Sequence, residues 1–212
     1  MNPLPLVLAS SSPRRYSLLQ RLGLEVNVLP AQVDETPHPD EPPLNVPLRL
    51  AREKAALVHA RNPHLPVLAG DTVVILEGQI LGKPQDVEEA RRMLVALRGR
   101  THLVATAVAL RYRELVADHL EVAQVTFTPF PPSLLEWYLS GKEWQDKAGA
   151  YAVQGQGAVF VASVEGNVQA VVGLPLASLP FLFSRVGLEL KACGSTLALL
   201  PRSESPRPAH AG

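Results

Sequence analysis

The apolar positions of this chain change period several times, and each change predicts an element. Leu4 to Ala9 is an almost unbroken apolar run, the pattern of a strand buried on both faces. It ends in Ser10, Ser11 and Ser12, after which Pro13 to Leu22 carries a helical pattern stopped by Gly23. Ser11 or Ser12 suits the N-cap, and Pro13 suits the first helical position, where a missing N–H costs no intrahelical bond. Glu25 to Leu29 predicts a second short strand. Residues 31–47 hold five prolines and four acids and read as a loop, of the kind that can close over a ligand or carry its contacts. Val46 to His59 returns to helical spacing through Leu48, Ala51, Ala55 and Val58.

Leu65 to Leu76, with a turn at Glu77–Gly78–Gln79, predicts strand–turn–strand. Asp86 to Leu97 reads as a helix with Asp86 as N-cap and Glu89 completing a capping box. Two long strand patterns follow, Thr101 to Tyr112 and Leu115 to Phe127, then a helix from Pro131 to Ser140 closed by Gly141. Val153 to Val164 and Val168 to Val172 read as strands, and Pro175 to Val186 as a helix ending at Gly187. Helices alternate with strands at both ends and strands dominate the middle, so the expected class is mixed α/β rather than a simple doubly wound sheet. The expected organisation is one domain over residues 1–200 and a polar, proline-rich, disordered tail over 201–212.

Composition narrows the function classes. The chain has 212 residues, 20 basic and 20 acidic side chains, and 47% apolar residues, an ordinary globular balance with no net charge. A general nucleic-acid binder needs a basic face, so nucleic acid is not an expected partner. A local positive pocket for a small anion remains open. The single cysteine, Cys193, excludes an intramolecular disulfide, fits a reducing cytoplasm and reads as a small buried apolar residue. No apolar run approaches the roughly 20 residues of a membrane span, and the N-terminus lacks the basic start of a signal peptide. A cytoplasmic protein without a membrane partner is expected.

The candidate chemistry begins at LASSSPRR, Leu8 to Arg15, where hydroxyls and two guanidiniums gather at a helix start. First-turn amides and the helix dipole attract anions, and arginine presents a fork that fits phosphate oxygens. Two cations in a first turn oppose the dipole, a conflict that a bound anion offsets. Asp71, between the apolar stretches VLAG and TVVIL, reads either as a carboxylate facing a crevice at the end of a central strand, or as a turn residue between two strands. In the first case it can serve as general base or Mg²⁺ ligand. Lys54 either snorkels from its helix or turns its ammonium into a cleft. Lys83, in LGKP without the rest of a P-loop, and Glu35, in the proline-rich loop, read alone as solvated charges. Asp146 to Ala158 combines Gly149, Gly155 and Gly157 with Gln154, whose amide offers a donor and an acceptor to a base edge; a glycine-rich hairpin without a ligand is the other reading. Zinc-protease, paired-thiol and serine-hydrolase motifs are absent.

Taken in order, LASSSPRR, VDET, LAREKA, GDTVV, ILGKP, GRTH, DKAGAYAVQG and VVGLPL resemble the Maf family of nucleoside triphosphate pyrophosphatases over roughly residues 6–176. The resemblance implies a fold similar to the inosine triphosphate pyrophosphatases: a mixed, twisted sheet in two lobes with the site in a central cleft. It implies hydrolysis of a nucleoside triphosphate to the monophosphate and pyrophosphate with a divalent cation, Mg²⁺ or Mn²⁺. The family's proton acceptor falls on Asp71. Three positions that mark the dTTP/UTP-preferring branch fall on Arg14, Thr72 and Gln154, and this chain has that branch's residue types at each. On this reading Arg14, Arg15, Lys54 and Lys83 hold the triphosphate, Ser10 helps seat a phosphate, Thr72 and Gln154 meet the base, and Glu35 with Asp71 holds the metal. The expected activity is a house-cleaning hydrolase for dTTP and UTP or modified pyrimidine triphosphates, in the family's suggested homodimer. A nucleotide-binding regulator of cell division or septum formation, using the same pocket without turnover, is the alternative. The chain departs from the commoner family pattern at Gly70, at AVQG, at GKEWQDKAG and at VEGNVQAVVG, and the departures bear on substrate preference.

Overall fold

One long strand organises the molecule. The computed structural model describes residues 2–202. β1 (Leu6–Leu8) leads into α1 (Pro13–Arg21) and β2 (Val26–Val28), and α2 (Asn45–His59) leads into β3 (Val67–Leu76). There follow β4 (Gln79–Leu81), α3 (Val87–Leu97), β5 (Thr101–Tyr112), β6 (Leu115–Phe127), α4 (Pro132–Ser140), β7 (Val161–Glu165), α5 (Val168–Val172), α6 (Leu179–Arg185) and a hairpin of β8 (Leu188–Cys193) and β9 (Thr196–Pro201). The main sheet runs β2-β1-β3-β5-β6-β7, with β4 also on β3. Pairing is parallel from β2 to β3 and antiparallel from β3 to β7, so the sheet is mixed as expected.

Successive side chains of a strand face opposite sides of its sheet. On one side of β3, Val67 and Ala69 pack on Ala51, Ala55 and Val58 of α2, and Val73 and Ile75 on Val46 and Leu50. On the other side the core divides. Leu68 joins the cluster around α1, α6 and the hairpin, whereas Val74 and Leu76 join α3, α4 and the aromatic residues of the second lobe. Gly70 and Thr72 lie between those clusters in sequence and belong to neither, which leaves a cleft there. The same stretch lacks a neighbour along one edge. β1 pairs with β3 at Val67 and Leu68, and β4 at Val74 to Leu76. From Ala69 to Val73 that edge of β3 has no strand partner among the described residues.

Three readings from the pattern require correction here. Asp71 lies inside a ten-residue strand, neither at its end nor in a turn. Val153 to Phe160 is not strand: a 3-10 turn spans Gln156–Phe160, and strand begins at Val161 where pairing with β6 starts. An added Cβ at Gly157 would stand 3.0 Å from the backbone N and O of Ala152, so the chain doubles back too tightly for an extended segment. Val168–Val172 is helix, because the Asn167 side chain accepts from the Gln169 and Ala170 amides and Gly173 closes the turn at φ 119. Its β-branched residues made five positions look extended.

The hairpin β8–β9 has no counterpart in the predicted elements. It packs Leu188 and Leu199 into the first core and is stitched on by Leu4 N–H to the Leu199 carbonyl, 2.8 Å, and Leu197 N–H to the Leu22 carbonyl, 2.9 Å. Cys193, expected to be buried, is exposed beside the hairpin's turn. The expected tail boundary also shifts, since Pro201 ends β9 and the Arg202 amide donates to the Gly187 carbonyl. Residues 203–212 of that tail lie outside the described residues.

Candidate active site

The open edge of β3 is where the charged residues collect. Ser10, Arg14, Arg15, Glu35, Lys54, Asp71, Thr72, Lys83 and Gln154 all line one cleft of about 500 Å³. β3 serves both sides of it. Asp71 points to the α2 side and receives the Lys54 ammonium at 2.7 Å, while Thr72 points to the α1 side and receives the Arg15 guanidinium at 3.0 Å. Adjacent residues of one strand thus present a carboxylate to one flank of the cleft and a hydroxyl to the other.

Lys54 neither snorkels nor stands free. Its ammonium is buried and donates to Asp71 Oδ1 and to Glu35 Oε1, the latter at 2.5 Å. The second Glu35 oxygen accepts from Lys83 at 3.2 Å, so loop, helix and strand meet in a four-membered chain of alternating charge. Burial opposes the charge of Glu35, but hydrogen bonds and attraction from Lys54 and Lys83 prevail and hold its carboxyl below the usual range. The proline-rich loop therefore carries a cleft-lining, ion-paired acid and not only solvated charge.

Ser12 is the N-cap of α1: its hydroxyl faces the Arg15 amide, and Pro13 follows at the first helical position. Arg15, expected to hold phosphate, lines the cleft and also bonds within the protein. It is buried, with Nε donating to the Gly173 carbonyl at 2.8 Å, Nη1 to Ser10 Oγ at 3.0 Å and Nη2 to Thr72 Oγ1 at 3.0 Å. Three of its five N–H groups are engaged in joining α1, the segment between β1 and α1, β3 and the end of α5. Its charge still reaches the cleft, but its fork is committed to the protein. Arg14 is the freer guanidinium, with one long contact of 3.3 Å to the Val172 carbonyl. Burial lowers its pKa, against the attraction of Glu143.

Arg15 also decides what Ser10 can do. Ser10 Oγ accepts from Arg15 and from the Ser12 amide, 3.2 Å, which occupies both lone pairs. Only its proton remains for a ligand, so the hydroxyl is set as a donor toward an oxyanion. The Gln154 side chain, by contrast, is exposed and makes no hydrogen bond to another described residue.

Several residues that shape the cleft gave little signal in the sequence. Lys147, inside the DKAGAYAVQG stretch, lines it; burial lowers its pKa, and the nearby Arg14 charge adds to that effect. Glu143 accepts from the Gln156 and Gly157 amides at 2.8 Å each and so caps the turn that follows Gln154. Tyr151 lines the cleft and is bonded to His102 Nε2 at 2.7 Å behind it. Only tertiary structure could assign the last two, because the partners lie 13 or more residues apart.

Comparison with known proteins agrees with the ordered motifs. The family described as "Maf-like protein" matches residues 5–186. Among similar proteins, the "dTTP/UTP pyrophosphatase" of Anaeromyxobacter sp. (strain Fw109-5) is 49% identical over 187 residues, 86% of this chain and 89% of the relative. The protein of the same name from Myxococcus xanthus (strain DK1622) is 49% identical, covering 87% of this chain and 94% of its own. That of Pyrococcus abyssi (strain GE5 / Orsay) is 42% identical, with coverages of 81% and 90%. Among solved structures, the Staphylococcus aureus Ham1 protein aligns with a TM-score of 0.46 at 13% identity, over 74% of this chain and 90% of its own.

Proposed function

Since the chain belongs to the Maf family, we propose that it is a nucleoside triphosphate pyrophosphatase that hydrolyses dTTP and UTP to the monophosphate and pyrophosphate. The observation that carries the reading is the cleft itself: a carboxylate pair bridged by Lys54 faces an anion-attracting helix start across the open edge of β3. The triphosphate lies between them, with Ser10 donating to a phosphate oxygen and Arg14, Lys83 and Lys147 neutralising its charge. Arg15 acts through Ser10 and Thr72 as well as by its charge. Thr72 and Gln154 meet the base.

The donor set suits a hard divalent cation. Glu35 and Asp71 offer carboxylate oxygens, and no cluster of three or more acidic, histidine or cysteine ligands exists among the described residues. Mg²⁺ is commonly held by one or two carboxylates together with substrate phosphates, and Mn²⁺ shares that preference for oxygen. Bound there, the cation would neutralise charge on the phosphates. Asp71 takes a proton from the attacking water as its oxygen bonds the α-phosphorus and the bond to the β-phosphate bridging oxygen breaks. Lys54, donating to Asp71 Oδ1 at 2.7 Å, holds the carboxylate aimed. Binding of the leaving pyrophosphate falls to Lys83 and Lys147.

The test is pyrophosphate release from a panel of triphosphates with Mg²⁺, with Mn²⁺ and with EDTA. Cation-dependent turnover highest on dTTP and UTP is expected. Asp71→Asn should lower kcat at least about a hundredfold while nucleotide still binds, the usual scale for loss of a positioned base. Near-normal turnover by Asp71→Asn would remove the base assignment. Nucleotide binding with no turnover by the wild type would favour a regulator.

A further inference from the structure

The hydroxyl of Thr72 is not free to choose its partner. Thr106, directly opposite it on β5, is fully buried and does not line the cleft. Thr106 Oγ1 lies 2.7 Å from the Ala170 carbonyl, which can only accept, so the single Thr106 proton is committed there. The contact between Thr72 Oγ1 and Thr106 Oγ1, 2.8 Å, must then use the Thr72 proton. Arg15 Nη2, which can only donate, fills one lone pair of Thr72 Oγ1 at 3.0 Å. What remains to Thr72 is one lone pair. It can accept from a ligand and cannot donate to it.

We propose that Thr106 is a positioning residue that sets which pyrimidine the site prefers, by fixing Thr72 as an acceptor. The assignment rests on the reading that Thr72 meets the base, and meets it at ring position 3, since at position 4 an acceptor would favour the amino group of cytosine. Thymine and uracil carry an N–H at ring position 3, and that donor matches a lone pair. Cytosine carries a lone pair of its own at that position, and two acceptors face to face repel and leave each other unpaired. Gln154 cannot supply the same discrimination, because its amide can turn over to suit a donor or an acceptor. A hydroxyl whose proton is held from behind has no such freedom. The discriminating element is therefore a relay from Ala170 through Thr106 to Thr72, one residue deeper than the cleft wall.

The experiment compares kcat/KM for dTTP and dCTP in wild type, Thr106→Val and Thr106→Ser. A ratio measured on one preparation cancels the folded fraction, so general destabilisation does not move it. Thr106→Val keeps the shape but frees the Thr72 proton to turn toward the ligand. The expected result is a dTTP-over-dCTP ratio at least about tenfold smaller than wild type, the scale of one misdirected hydrogen bond. Thr106→Ser restores the hydroxyl and should restore the ratio. Should the valine variant fail to fold, Thr106→Ala removes the same hydroxyl, and in the wild type 3-deaza-UTP, which has C–H where uracil has N–H, tests whether an acceptor meets ring position 3. The kcat/KM for 3-deaza-UTP should fall about tenfold or more below that for UTP. An unchanged ratio in a folded Thr106→Val or Thr106→Ala protein, failure of serine to restore it, or equal use of 3-deaza-UTP and UTP would overturn the assignment alone. A wild type that releases no pyrophosphate from dTTP or UTP would overturn the functional reading, and this assignment with it.

Discussion

Arg15 illustrates how a residue chosen for its charge can matter through its hydrogen bonds. By donating to Ser10 and Thr72 it occupies lone pairs on both, and its third bond ties them to Gly173. Gly70 makes room for that arrangement. A Cβ built at Gly70 would stand 3.0 Å from Arg15 Nε and 3.2 Å from the Ala107 carbonyl. The contact is tight, and the guanidinium is pinned by its three bonds. Gly70→Ala should therefore destabilise the protein by about 1 kcal/mol through overpacking and lower kcat/KM for dTTP. Thermal unfolding and steady-state kinetics check the two effects, and an alanine variant equal to wild type in both would show that Arg15 yields freely. The sequence did mark Arg15, because two cations in a first turn break a rule; it did not reveal that the fork faces inward.

The element beneath Gln154 depends on one acid. Glu143 caps the 3-10 turn Gln156–Phe160 by accepting two amides with its two oxygens, and Gly155 leaves the carboxylate space, since a Cβ there would collide with it. An amide has only one accepting oxygen and turns N–H groups toward the second donor. Glu143→Gln should loosen the segment that carries Gln154. The expected signature is a KM for dTTP raised several-fold, up to about tenfold, with kcat changed little, because the turn is assigned to holding substrate rather than to the chemistry. An equal fall in kcat at unchanged KM would move Glu143 to the reacting centre. Elements with a clear period were readable: β5 and β6 match their predicted limits, and Asp86 caps α3 by accepting from the Glu89 amide at 2.7 Å. Short β-branched stretches such as Val168–Val172 were not, because five residues hold too few turns to show a period and the Asn167 cap decides the outcome.

At the scale of the whole molecule, stability couples to pH through a group away from the carboxylates. His102 is almost wholly buried between Phe127 and Tyr151, and burial pushes its pKa from 6.5 down to about 4. A base whose folded pKa is depressed binds fewer protons folded than unfolded between those two values. Its contribution is complete above about 6.5 and is lost as pH falls toward about 4. Denaturant unfolding should show stability declining across that window by on the order of 2–3 kcal/mol, and His102→Gln should flatten the slope. A wild-type profile flat from pH 6.5 to 4 would place the imidazole in contact with water. Glu35, with a lowered carboxyl pKa, acts further into acid, where its stabilisation is lost below the usual 4.5.

By itself the sequence determined which segments could be strand or helix, through the spacing of apolar positions, and which residue types were assembled for an anion, through SSSPRR and the scattered acids and lysines. It also placed the chain beside a family by eight short stretches in order. Tertiary structure alone decided that Asp71 and Thr72 open to opposite flanks of one cleft, because that requires β3 to lose its edge partner between β1 and β4. It alone decided the direction of the protons on Ser10 and Thr72, since a hydroxyl takes its polarity from neighbours brought in from distant strands and helices. Pattern is local and survives in one dimension; hydrogen-bond polarity depends on who stands opposite, and only the fold settles that.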